Sequence, residues 1–234
     1  MRQVIPIFKK EFRSYFVSPI AYIVISIFLL VIGWFFFLTF FLTNQATLRK
    51  FFVLLPLIYS FVVPAITMRL FSEELNIGSY ETLLTMPVTS LEVVLGKFMA
   101  AIVFLATMLV PTLSYPITIS ILGPLDWGPV FGGYLGAVLL GGAFSAIGLF
   151  ASSLTRNQII AFIIGTVICF ALTLIDWMLF FVPPSLLMFV QNLGVYFHFQ
   201  NIARGIIDSR DILYFLSVNF IALYGTYLVI QEKS

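Results

Sequence analysis

Six long apolar runs separated by short polar segments dominate the chain. They extend from about Ile20 to Leu42, Phe51 to Leu70, Phe98 to Leu122, Pro129 to Ser152, Ile159 to Val182 and Ile212 to Ile230. About 20 helical residues cross a bilayer core, so each run is long enough to span. The second run carries Pro56 and Pro64, and the third carries Pro111 and Pro116. Proline is tolerated in a span where neighbours satisfy the freed carbonyl, and kinks are predicted in both. Ahead of the first run, residues 4–17 read as an amphipathic helix. At about 100° per residue, Val4, Phe8, Phe12 and Tyr15 share one face and Lys9, Lys10 and Arg13 the other. Such a helix is expected to lie flat as an elbow at the cytoplasmic leaflet, with Phe8 and Phe12 in the interface and Lys9, Lys10 and Arg13 against anionic lipid. It serves either as a topology signal alone or also as a mechanical link to the spans.

Composition agrees with this pattern. Charged residues are 9% and the mean hydropathy is +1.10, against roughly 25% charged residues in a soluble domain. The reading is an all-α membrane protein, one permease-like domain over residues 1–234 in contact with the lipid bilayer. The net charge of +2 gives no nucleic-acid footprint. The N-terminal apolar run is too long for the usual signal-peptide core and no A-x-A-like site closes it, so it is expected to remain as the first span. With the N-terminus in the cytoplasm, Arg2, Lys9, Lys10, Arg13, Arg69, Lys97, Arg156 and Lys233 fall inside, and Arg49, Lys50, Arg204 and Arg210 outside. That bias favours N-terminus in, and an even span count returns the C-terminus to the cytoplasm.

Residues 71–97 form an acidic island between the second and third spans, with Glu73, Glu74, Glu81 and Glu92 among the chain's 10 acids. Ser79 reads as an N-cap, Tyr80–Met86 as about two helical turns, and Pro87 as their stop. Thr89-x-x-Glu92 is a capping box that starts the helix leading into the third span. Tyr80, Leu83, Leu84 and Met86 are apolar outside the membrane. The segment is either a well-capped connector or a docking knob for a soluble partner.

The fourth span repeats small residues at helical spacing: Gly133, Ala137, Gly141 and Ser145, then Gly148 and Ser152. Such a stripe lets two helix backbones approach closely, either within one subunit or between two. Residues 183–211 form a long extracytoplasmic segment. Its apolar piece, Ser185–Leu193, is too short to span and reads as interfacial or re-entrant. Its mixed piece, Phe199–Ile207, is expected at the outer surface. Asp176 is expected to reach water, and His198, between two phenylalanines, to lack a partner.

Several chemistries find no residues here. Gly96-Lys97 is followed by Phe98 and has no matching glycine before it, so no phosphate-binding loop is present and the chain is not expected to bind ATP itself. A single histidine gives no His-x-x-x-His pair, Cys169 alone gives no thiolate site, and Ser145 lies outside a Gly-x-Ser-x-Gly setting. No catalytic group and no metal-ligand set is identified.

Three stretches carry a resemblance that covers essentially the whole chain. They are Lys10-Glu11-Phe12-Arg13-Ser14-Tyr15-Phe16 with Ser18-Pro19; Glu73-Glu74 with Gly78-Ser79-Tyr80-Glu81-Thr82-Leu83-Leu84-Thr85-Met86-Pro87-Val88 and Gly96-Lys97-Phe98; and His198-Phe199-Gln200-Asn201 with Arg204-Gly205 and Asp208. The chain resembles the type-2 ATP-binding-cassette permeases, closest to the gliding-motility-associated (GldF-like) branch. The resemblance implies an elbow helix over 1–18 and a cytoplasmic coupling helix within 71–97. Glu73, Glu74, Gly78, Glu81, Leu84 and Pro87, flanked by Tyr80 and Leu83, would face the ATPase. Asn76 and Ile77 depart from the often basic residues of the family before the glycine. It further implies a non-catalytic permease subunit in a bacterial cytoplasmic membrane, two copies of a cytoplasmic ATPase that hold ATP and Mg, and a second permease subunit, identical or paralogous. An auxiliary membrane-anchored protein is a further expected partner. Members of this group are often exporters. The alternative is an ATPase-linked complex that passes motion to an outer partner without transport.

Overall fold

The computed structural model describes residues 3–43, 47–78 and 88–233, and every regular element in them is helical. The helices are α1 (Val4–Val17), α2 (Pro19–Thr43), α3 (Arg49–Thr67), α4 (Arg69–Ile77), α5 (Ser90–Leu109), α6 (Ser114–Leu122), α7 (Trp127–Leu154), α8 (Gln158–Met178), α9 (Pro184–Leu193), α10 (Val195–Ala203) and α11 (Ser209–Glu232). A 3-10 turn, Val110–Leu113, joins α5 to α6, and another, Leu179–Phe181, extends α8. Six stretches are long and apolar enough to cross a membrane: α2, α3 with α4, α5 with α6, α7, α8 and α11. This is an all-helical, six-span protein.

The prolines act differently in the two spans that carry them. In the third, Pro111 lacks the N–H that an α-helix needs, and the chain tightens into the 3-10 turn there. Pro116 then sits in the first turn of α6, where its missing donor would be unused anyway. In the second, α3 runs through Pro56 and Pro64 and the interruption falls at Met68. A side chain from another span accounts for that position. The Ser152 hydroxyl of α7 donates to the Met68 carbonyl (2.7 Å) and accepts from the backbone N–H groups of Phe71 and Ser72 (3.0 Å each). It satisfies first-turn donors of α4 that have no partner within their own helix.

The central element is α7, which packs against α3, α4, α5, α8, α10 and α11. Between helices in lipid there is no hydrophobic driving force, so close packing and hydrogen bonds must hold them. The composition of α7 supplies the close approach. A Cβ on Gly133 would collide with the Phe52 ring of α3, and one on Gly148 with the Thr67 hydroxyl. Gly141 lies against Leu105 of α5 and Tyr59 of α3, at 3.1 and 3.3 Å from an added Cβ. Ala137 and Ser145 are fully buried, and the Ser145 hydroxyl has no hydrogen-bond partner among the described residues. The small stripe thus faces other helices of the same chain.

The outer segment differs from its sequence reading in three ways. First, only the second half of the mixed piece, residues 204–207, lies on the surface; its first half ends α10, whose Val195, Phe199 and Ile202 are fully buried. Gly132 and Gly136 of α7 leave the space, and a Cβ on Gly132 would strike the Ile202 carbonyl oxygen. Second, Asp176 accepts a hydrogen bond from the Phe197 N–H (3.3 Å) and so anchors the start of α10. Third, His198 has a partner: its Nδ1 lies 2.6 Å from Asp211 Oδ1. By contrast, α9 leaves Leu186, Met188 and Phe189 exposed.

These contacts predict a selective sensitivity along α7. Gly132→Ala places its methyl against a backbone carbonyl, which cannot rotate away, and is expected to destabilise by about 1–3 kcal/mol. Gly142→Ala, whose Cβ would meet nothing closer than 3.6 Å, should be nearly neutral. Thermal unfolding of both variants in one detergent checks the difference.

Candidate functional site

Three helices, α1, α4 and the start of α5, meet at one end of the bundle, and the last two are the two ends of the acidic island. α1 packs along α5, and Gly96 permits the approach, since a Cβ there would come within 2.7 Å of Ile7. Tyr15 is buried, stacks on Phe104 (centroids 4.6 Å apart) and donates to the Ile66 carbonyl at 3.3 Å. Burial pushes its hydroxyl pKa up, so it stays protonated and remains a donor. The Arg69 guanidinium lies 5.2 Å from the centre of the same ring. The apolar face of α1, expected to dip into lipid, therefore rests on protein. Phe8 and Phe12 are half-buried and stack on each other at 5.8 Å, while Lys9, Lys10 and Arg13 are exposed.

Lys97 sits at the centre of the junction. Its side chain is 1% exposed. The ammonium meets Glu74 of α4 at 2.9 Å and Glu11 of α1 at 3.2 Å, and donates to the Leu70 carbonyl at 2.7 Å. Three donors thus meet three acceptors, the full capacity of the group. The Phe71 ring lies 5.2 Å away. Lys10, two-thirds exposed, approaches both carboxylates at 3.6 Å. One buried cation therefore ties α1, α4 and α5 together. A buried charge is tolerated only when paired and hydrogen-bonded, so the three helices cannot separate here without stranding it.

Two further contacts frame the island. The capping box is present: the Thr89 hydroxyl accepts from the Glu92 N–H (3.4 Å), and Glu92 Oε2 accepts from the Thr89 N–H (3.2 Å). The other Glu92 oxygen accepts from the Gln3 N–H at 3.4 Å, which brings the start of α1 onto the start of α5. On the other side, α4 ends at Gly78, whose φ of 77° is the left-handed cap that glycine adopts most readily. Glu73 and Glu74 line a pocket of about 230 Å³ with Lys10, Tyr15 and Arg69. Tyr80, Glu81, Leu83, Leu84 and Pro87 lie outside the described residues. At the sequence level Glu11 is named only within the resemblance and Lys97 is counted among the inside charges, and neither has a place in this junction. The available signal was one acid on the apolar face of α1, four residues from both Ile7 and Tyr15, together with a lysine at the mouth of a span.

Among the described residues, no group of three or more His, Cys, Asp or Glu side chains could hold a metal ion. Residues 50–228, more than half of the chain, match the family described as ABC-2 family transporter protein. No curated protein matches the chain at a significant level.

Removing the central cation gives the sharpest stability test. Lys97→Met leaves the largely buried Glu11 and Glu74 carboxylates with only the exposed Lys10 near them and is expected to destabilise by about 3 kcal/mol, the lower end for a broken buried pair. Combining it with Glu11→Gln and Glu74→Gln should recover most of the loss, because no uncompensated charge then remains. Thermal unfolding of the single and triple variants measures both effects.

Proposed function

The chain belongs to the ABC-2 transporter family, and on that premise we propose that its α1–α4–α5 junction is where a cytoplasmic ATPase drives the spans. As a member of that family it is a multi-pass membrane permease component of an ABC transporter, a type of subunit that is typically non-catalytic and works with an ABC ATPase.

The observation that carries the proposal is the Lys97 junction. In the chain, residues 79–87 follow α4 and precede α5, and Lys97 joins those two helices to each other and to α1. A push on that segment is therefore delivered to a block and not to a loose loop. From α4 the path continues into α3, and through Ser152 into α7. From α1 it continues into α2. In this reading Glu73, Glu74, Gly78, Tyr80, Glu81, Leu83, Leu84 and Pro87 form the ATPase-facing element, and ATP with Mg is held by the ATPase. The end that carries α1 faces the cytoplasm. It gathers Lys9, Lys10, Arg13, Arg69, Lys97, Arg156 and Lys233, in keeping with the positive-inside bias.

Six spans make half of a pathway, so a second permease subunit, identical or paralogous, completes it, with two ATPase subunits beneath. Outward faces of α2, α8 and α11, with Trp34, Ile163 and Phe220 exposed, are available to lipid and to that partner. We place the complex in the bacterial cytoplasmic membrane as an exporter, in the gliding-motility-associated branch, on the residues of the resemblance.

Glu81→Lys with Leu84→Asp is expected to release the ATPase while leaving the unfolding temperature of the permease unchanged. Pull-down of tagged protein in mild detergent, with mass spectrometry and vanadate-sensitive turnover of the eluate, measures this. Retention of a stoichiometric ATPase by the double variant would remove the coupling role from residues 71–97.

A further inference from the structure

α8 and α11 both pack along α7, yet they make little contact with each other. Between them lies a groove of about 380 Å³. Ile147 and Phe150 of α7 form its back, with Ile168 and Leu172 of α8 on one side and Ala222 and Gly225 of α11 on the other. Every residue that lines it is apolar. Small residues on α11 keep it open. Ala222 carries a single methyl, and a Cβ on Gly225 would come within 3.0 Å of the Phe150 ring. All three helices are membrane spans, so the groove opens to acyl chains and not to water.

The depth of the groove matches one leaflet. Along α11 it runs from Gly225 to Val218, which lie seven and fourteen residues before Glu232 at the helix end. At the helical rise these are about 10 and 21 Å from that end. One leaflet contributes about 15 Å of hydrocarbon, half of the bilayer core. A lipid whose headgroup sits at the end of α11 therefore places the far half of its chain in the groove.

Two cations sit at that end. Lys233 follows α11 and donates to the Ser153 carbonyl in the last turn of α7 at 2.7 Å. That uses one of the three donors of an ammonium group. Arg156, in the connection between α7 and α8, is exposed. Burial, and then the Arg156 charge, push the Lys233 pKa down, while Glu232 works in the opposite sense. Two like charges are thus close enough to oppose each other, with one carboxylate beside them, and a bound anion relieves the repulsion.

We propose that the α8–α11 groove and the Arg156–Lys233 pair form one site for an anionic phospholipid, with its phosphate at the two cations and an acyl chain in the groove. The apolar lining alone would accept any chain or helix. The basic pair at one end selects a ligand that is apolar along its length and negative at its head, the chemistry by which basic pockets between membrane helices take anionic headgroups. The lipid fills the space that α8 and α11 leave between them and so ties the two spans together. The site shares no residue with the ATPase-facing element and does not depend on an ATPase being bound.

Native mass spectrometry of the full chain, released from nanodiscs of equal parts phosphatidylglycerol and phosphatidylcholine, tests this. The wild type is expected to retain phosphatidylglycerol over phosphatidylcholine by about tenfold or more, since each of the two basic groups favours an anionic headgroup. Arg156→Gln with Lys233→Gln is expected to bring the ratio close to one. Both positions lie outside the spans, and a glutamine amide can still donate to the Ser153 carbonyl, so this variant is expected to fold. Ala222→Leu fills the groove and is expected to lower retention of both lipids. Phosphatidylglycerol with a diazirine at the end of its acyl chain is expected to label the peptides that carry Phe150 and Ala222. Equal retention of the two lipids by the wild type, or a preference unchanged in the double glutamine variant, would overturn the proposal. So would a groove that takes no label because a second copy of the chain covers it.

Discussion

An ammonium group removed from water must find all its partners within the protein, and the Lys97 end of the bundle is arranged around that requirement. The acceptors come from two helices, Glu11 from α1 and Glu74 with the Leu70 carbonyl from α4, and the lysine they surround is carried by a third, α5. None of these helices satisfies the cation alone. Their relative position is therefore fixed by the desolvation of one charge, which is a stiffer constraint than apolar packing. Apolar surfaces between lipid-exposed helices can exchange protein for acyl chain at little cost. A buried ammonium has no such substitute.

The rest of the architecture extends from that fixed point. Ser152 couples the α3–α4 join to the last turn of α7. α7 in turn touches most of the bundle through its glycine-rich face. At the far end, Gly132 and Gly136 receive α10, which is held to the last span by His198 and Asp211. A continuous chain of packed and hydrogen-bonded groups thus runs between the two ends. It provides a physical route for motion between the two ends.

The sequence made the spans legible because a membrane helix is written in length and hydropathy. The bounds of α1 and the capping box at Thr89 were equally readable, since each rests on local spacing. What stayed hidden was tertiary. The apolar face of α1 looks the same whether it meets lipid or α5; only Glu11 on that face distinguishes the two, and its partner is distant in sequence. The burial of α10 could not be read from its own mixed composition, because the space it fills is made by glycines of α7. His198 looked solitary for the same reason: Asp211 belongs to the next helix. For the candidate site, the sequence pointed to the acidic island between the second and third spans, and the structure adds the clamp on either side of it.

The most direct test replaces Ile77 with a photo-cross-linking amino acid. Ile77 is 71% exposed at the end of α4, immediately before Gly78. In membranes that contain the assembled complex, the account predicts a cross-link from this position to a nucleotide-binding subunit, and none from the exposed Met188 of α9 at the opposite end. A complex that retains its ATPase but gives no cross-link from position 77 would contradict the assignment of the α1–α4–α5 junction as the driven end.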